Sequence, residues 1–156
     1  MADIGLEWTP EGIDVALRDD DIAEDEGLRT AALLSVLMDR RAADDDQLPS
    51  PGDLRGWWGD ELAGPEGDRI GSRLWLLSRS AAEPGVARRA KAVAEDGLAW
   101  LIEDGVASSV DVSAELVDGD LSIDVTIHRP HDEDIDVRFA RVWDSLAAER
   151  RIAEVP

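Results

Sequence analysis

The chain has 156 residues, 44% of them hydrophobic, and its 36 acidic and 16 basic side chains leave a net charge of −20. That length favours one domain, burying roughly 70% of the surface its unfolded chain exposes. So acidic a field repels nucleic acid and anionic lipid, which are bound by Lys and Arg displacing counterions, and the absence of Cys excludes disulfides and thiolate metal sites.

Six Trp against one Phe and no Tyr make indole rings the source of nearly all aromatic packing. Met1-Ala2-Asp3-Ile4 lacks the basic and apolar regions of a signal peptide, and no apolar run approaches the roughly 20 residues that span a bilayer. The expectation is a soluble protein made in the cytoplasm. Short acidic clusters such as Asp19-Asp20-Asp21 and Asp44-Asp45-Asp46 read as a solvated surface and not as an acidic tail.

In chain order, Ile4, Leu6 and Trp8 alternate with Asp3, Gly5 and Glu7, and Ile13, Val15 and Leu17 alternate after the turn residues Pro10-Glu11-Gly12. Strict alternation predicts a small antiparallel meander with one buried and one wet face, and a short third strand at Asp21 to Ala23. Asp25 is a reasonable N-cap for a helix to about Ala42, with Leu28, Ala31, Leu34 (with Ala32) and Met38 along the buried stripe, Leu33 and Leu37 widening it, and Thr30, Asp39 and Arg40 nearer water. A polar loop, 43–55, follows. After Gly56-Trp57-Trp58-Gly59-Asp60 comes a second loop around Gly64-Pro65-Glu66-Gly67, and Ser72 can cap a short helix carrying Leu74, Trp75 and Leu77.

Pro84 suits the first turn of a longer helix. That helix places Val86, Ala90, Val93, Gly97 and Leu101 on one face, beside Leu98 and Ile102, and stops at Asp104-Gly105. Residues 106–117 alternate as a strand, and Asp118-Gly119 has the preferences of a type I′ hairpin turn. Leu121, Ile123, Val125 and Ile127 form the returning strand, and Ile135, Val137 and Phe139 a third. The order of strands, helices, strands predicts an α+β fold, with antiparallel strands in the first and last thirds and two to three helices between them packed on one face. Residues 1–144 form the single domain of this reading, and 145–156 a short polar helix or tail.

The chain offers little chemistry. No Gly-rich strand-to-helix loop cradles phosphate, and no strand–Ser–helix elbow exposes a nucleophile. His128 and His131, with Asp132, Glu133 and Asp134, could hold a metal through one imidazole and two carboxylates. A charged hairpin turn is the favoured reading of the same residues. Catalytic, cofactor-binding and metal residues are therefore expected to be absent, and the protein not to be an enzyme. Trp57-Trp58 reads as core packing, as a protein interface, or as a glycan platform. Arg40 and Arg41 suit a helix C-terminus, or bidentate contact with a partner's carboxylates.

Taken together, Thr30-Ala31-Ala32-Leu33-Leu34-Ser35-Val36-Leu37-Met38-Asp39-Arg40-Arg41-Ala42, Gly56-Trp57-Trp58-Gly59-Asp60, Gly71-Ser72-Arg73-Leu74-Trp75-Leu76-Leu77, Leu98-Ala99-Trp100-Leu101 and Asp104-Gly105-Val106-Ala107 resemble the Mu-like phage baseplate family. The opening Met1-Ala2-Asp3-Ile4 strand joins the match, which runs to about Trp143. The resemblance implies a non-enzymatic baseplate component of a contractile tail, related to short wedge proteins. It would be present in six copies, bind larger wedge proteins near the tail tube and spike hub, and start the tail sheath by strand pairing. Its implied location is the virion tail baseplate, after assembly in the host cytoplasm, with Arg40, Arg41, Trp57, Trp58 and Arg73 as the candidate interface and neither nucleic acid nor membrane as a partner. Two readings from other classes compete. Some relatives carry a lysozyme-like label, but a peptidoglycan-cleaving site needs a chosen pair of carboxylates, and thirty-six acids nominate none. An acidic DNA mimic would line its charges along one face, whereas here they mix with alternating apolar residues.

Overall fold

A computed structural model describes residues 3–9, 11–25, 27–61, 69–79, 83, 85–140 and 142. Pro84, the 64–67 loop and the proposed tail from 145 lie outside them, as does the expected domain end at 144. The first strands are β1 (Asp3–Ile4), β2 (Leu6–Thr9), β3 (Gly12–Val15), β4 (Leu17–Arg18), β5 (Asp21–Ile22) and β6 (Glu24–Asp25). They do not form one meander sheet. Three separate antiparallel ladders, β1 with β6, β2 with β3 and β4 with β5, meet at three small residues. Gly5 N–H donates to the Ala23 carbonyl at 2.7 Å, Ala23 N–H to Ala16 at 2.8 Å, and Ala16 N–H to Gly5 at 2.8 Å, closing a ring of backbone bonds. A Cβ on Gly5 would sit 3.0 Å from the Ala23 oxygen, so glycine relieves crowding where the ring closes.

The first helix, α1, spans Leu28–Leu37, shorter at both ends than the sequence predicts. Asp25 belongs to β6, and the cap position is Gly27 in the left-handed conformation (φ 85°), without a side-chain cap bond. At the other end the backbone turns extended at Met38 and bridges to a distant segment. Ser72 N–H donates to the Met38 carbonyl and Arg40 N–H to the Ser72 carbonyl. A tertiary bridge thus takes the groups that a longer helix would have used. The buried face keeps Ala32 and Leu33 of the predicted stripe and adds Ser35 and Val36, while Leu28, Ala31, Leu34, Leu37 and Met38 are half-buried. The nearly continuous apolar run 31–37 does not itself say which side faces the core. Thr30 is half-buried, accepting from Leu6 N–H and donating to the Ile4 carbonyl, both at 3.3 Å, which ties the ladders to α1.

Two 3-10 segments, Trp58–Glu61 and Leu74–Arg79, lead to α2 (Val86–Leu98) and the short α3 (Trp100–Glu103). The buried positions of α2, Val86, Ala90, Ala94, Gly97 and Leu98, fall three or four residues apart and make one face. Val93, expected on that face, is half-buried, and Ile102 is exposed. The C-terminal sheet is β7 (Ser109–Val117), β8 (Asp120–His128) and β9 (Ile135–Phe139), in the order β7-β8-β9. Asp118 and Gly119, at φ 53° and 91°, make the predicted tight turn and set the register from Val117↔Asp120 to Ser109↔His128. Leu121, Ile123, Val125 and Ile127 point inward with Val137 and Phe139, and pack with α1 and α2 in one core. The architecture is the α+β arrangement the sequence predicts. No helix among the described residues is long and apolar enough to cross a membrane.

Candidate functional site

Most of the unusual sequence blocks converge on one staple where α1 ends. Ser72 donates its hydroxyl to the Val36 carbonyl at 2.5 Å and accepts from Leu74 N–H at 3.2 Å, capping the 3-10 turn as its position predicts. Trp75 is fully buried, with its indole N–H on the Arg40 carbonyl at 2.9 Å. The Arg55 guanidinium lies 4.6 Å over the Trp75 ring and pairs with Asp39 at 2.5 Å. Burial raises the Asp39 carboxyl above its ordinary value, against the pull of Arg55. Asp39 and Arg40, expected toward water, are therefore partly buried. Arg40 pairs with Asp96 of α2 at 3.0 Å, and Arg73 with Asp46 at 3.2 Å and Asp96 at 4.0 Å. Of the nominated arginines, Arg40 and Arg73 serve this internal network, whereas Arg41 is exposed with its Cβ against Gly56.

Trp57 and Trp58 do not fill the core, contrary to the reading of them as packing residues. They are 44% and 70% exposed, with rings tilted at 50° and centroids 5.6 Å apart. The glycines around them explain the motif. At Gly56 (φ 103°) a Cβ would strike Arg41, and at Gly59 it would strike the Trp57 ring. Gly59 thus lets one indole fold back over the chain while the other stands out.

The remaining exposed large hydrophobics fall in two more places. Ile4, Ile13, Val15, Leu17 and Ile22 lie on the N-terminal ladders, and Ile102, Val106, Leu116 and Val117 lie on or beside β7. The two sheet edges also differ. Along β9, the Arg29 guanidinium donates to the Asp136 carbonyl at 2.8 Å and the Trp8 indole N–H to the Ala140 carbonyl at 2.6 Å. Trp8, Arg29 and Asp136 also line a cleft of about 400 Å³ walled by β2, α1, β8 and β9. Along the outer side of β7, no strand pairs among the described residues. In a two-residue hairpin the closing pair is hydrogen-bonded and bonded pairs then alternate. Val110, Val112, Ala114 and Leu116 accordingly aim their backbone N–H and C=O groups at this open edge. Neither β7 nor the Leu17–Ile22 pair is among the interface residues expected from the sequence, although the Asp118-Gly119 turn already fixes which β7 residues face outward.

His128 on β8 sits between two carboxylates, its Nε2 2.9 Å from Asp111 and its Nδ1 2.8 Å from Asp134, joining β7 to the turn before β9. The hydrogen bond to Asp111, then that to Asp134, raises its pKa above 6.5. Because the folded value exceeds the unfolded one, the stabilisation is complete below the unfolded pKa and is lost as pH rises through the folded pKa. The wild type should therefore lose more melting temperature between pH 6 and pH 8.5 than His128→Gln does. An imidazole NMR titration midpoint at or below the ordinary histidine value would refute this.

The fold and surfaces define a small acidic α+β protein whose exposed apolar groups gather on a Trp pair, an N-terminal set of ladders and an open sheet edge. The family described as "Phage protein GP46" matches residues 28–134, and the chain belongs to it. "Baseplate protein gp46" of Escherichia phage Mu is 44% identical over 117 residues, covering 74% of this chain and 78% of that protein. "Mu-like prophage FluMu protein gp46" of Haemophilus influenzae is 35% identical over 114 residues, covering 73% and 76%. The resemblance read from the Gly-Trp-Trp-Gly and Gly-Ser-Arg-Leu-Trp blocks is borne out.

Proposed function

We propose that this chain is a structural joint in the baseplate of a contractile phage tail, working by shape and backbone pairing and transforming no substrate. The observation that carries the reading is its 44% identity to a protein named for the Mu baseplate. In this reading six copies surround the tail tube above the spike hub, within the virion. The Trp57–Trp58 pair and Arg41 bind larger wedge subunits. Two adjacent exposed indoles suit that role, because Trp dominates interface hot spots. The open edge of β7 receives a strand from the first ring of sheath subunits, while Arg29 and Trp8 close the β9 edge to pairing. A nine-residue edge offers main-chain hydrogen bonds, and Asp111 and Glu115 along it discourage pairing between copies of the chain.

Ala114→Pro tests the sheath role. It removes an outward N–H without taking a bond from β8, and an edge strand tolerates that change. The variant should fold and enter the baseplate, yet leave tails without ordered sheath. Wild-type yields of sheathed particles would sink the β7 assignment. Trp57→Ala with Trp58→Ala should weaken co-purification with wedge subunits by about thirtyfold or more, the scale of a hot-spot loss. Unchanged recovery would remove the pair from the interface.

A further inference from the structure

The β4–β5 ladder ends in a two-residue turn, Asp19-Asp20, with φ 52° and 64°. Both are left-handed, a conformation that costs side-chain-bearing residues energy and that Asp tolerates better than most. One pair behind the turn, after Arg18 and Asp21, Leu17 and Ile22 are register partners and so share one face of the ladder. They are 65% and 52% exposed, the barest large aliphatic side chains among the described residues. Ile13 and Val15 on β3 are exposed as well, at 39% each. They face the same way as their partners Trp8 and Leu6, which pack against the core. The knuckle is therefore held to the body through β2, and the ring of bonds joining Gly5, Ala16 and Ala23 fixes its direction.

The segment that carries it is one-sided in charge. The first 25 residues hold nine carboxylates and a single guanidinium, Arg18. A second copy of the same knuckle would meet the same charge, and an anionic bilayer would be repelled for the same reason. We infer that the Leu17–Ile22 knuckle docks into an apolar pocket rimmed by Lys and Arg on a different protein. The apolar pair supplies the anchor, and the surrounding acids supply orientation and rate of encounter. This contact is separate from the β7 edge and from the Trp pair. It also precedes the span that matches the family, residues 28–134.

The test places a photo-crosslinking amino acid at Leu17 in cells producing the particles, with the same group at exposed Gln47 as the control. Crosslinked peptides are then sequenced by mass spectrometry. The expected product joins position 17 to one heterologous peptide containing apolar residues within a few positions of Lys or Arg. Its yield should fall about tenfold with Ile22→Asp, a modest hot-spot loss, and should fall again as salt is raised during illumination. Products with a second copy of this chain, products with lipid, or yields no higher than at Gln47 would each overturn the inference. So would a yield indifferent to salt. A matching peptide from a protein foreign to the tail would uphold the docking chemistry and defeat the baseplate reading, so the two fail separately.

Discussion

Trp75→Ala is expected to lower folding stability by about 4 kcal/mol, within the range for truncating a fully buried aromatic. Three losses coincide at this position. The ring is 1% exposed, so truncation opens a cavity beside Arg40 and Arg55. The Arg40 carbonyl loses the indole N–H that satisfies it at 2.9 Å, and an unsatisfied buried acceptor costs about 1–3 kcal/mol. Arg55 loses the ring beneath its guanidinium while remaining bound to Asp39. At this chain length a loss of that size lowers the melting midpoint by about 10 °C. Trp75→Phe should cost roughly half as much, because it keeps an aromatic face for Arg55 but has no N–H to donate. Urea unfolding measures both, and a loss below about 1.5 kcal/mol for the alanine variant would mean that the staple does not depend on this indole.

The parts of the fold legible in sequence are those with local causes. Asp118-Gly119 announces a hairpin because both residues must adopt positive φ, and the strands beside it alternate cleanly. In α2, the spacing of Val86, Ala90, Leu98 and the rest of the apolar face is a property of that segment alone. The end of α1 was not legible, because the Met38 carbonyl is taken by Ser72 from far along the chain. The same holds for charge. Arg40 and Arg73 look like free cations in sequence, yet Asp96, distant from both, draws them together on the surface of α2. Trp57 and Trp58 stood out as residues to explain, but their exposure depends on Gly59 leaving room for one ring to fold back. The three N-terminal ladders gave an alternating pattern that hid their true pairing, since the ring at Gly5, Ala16 and Ala23 is built entirely from backbone groups. Local signals thus specify the C-terminal strands and the buried face of α2, whereas the candidate surfaces arise where distant segments meet.

Gly71→Ala and Gly97→Ala are each expected to destabilise by about 2–3 kcal/mol, and the double variant by clearly less than their sum. At Gly71 a methyl group would collide with the Met38 carbonyl, at a φ of 88° that already disfavours any residue with a Cβ. At Gly97 two effects oppose each other. Alanine inside a helix gains about 1 kcal/mol in propensity over glycine. Its Cβ, however, would lie 2.6 Å from the Ser35 carbonyl oxygen and 3.2 Å from the Ser72 Cβ. A backbone oxygen cannot swing aside as a flexible side chain can, so steric cost should outweigh propensity. Both methyl groups push on the last turn of α1 and its junction with the 71–72 segment. Once the first has shifted that turn, the second meets a seam already opened, which is why coupling is expected to be favourable. A double-mutant cycle from urea unfolding measures the coupling directly. Strict additivity would mean that the two glycines relieve separate crowding, and a stabilising Gly97→Ala would mean that α1 and α2 are not held at this closest approach.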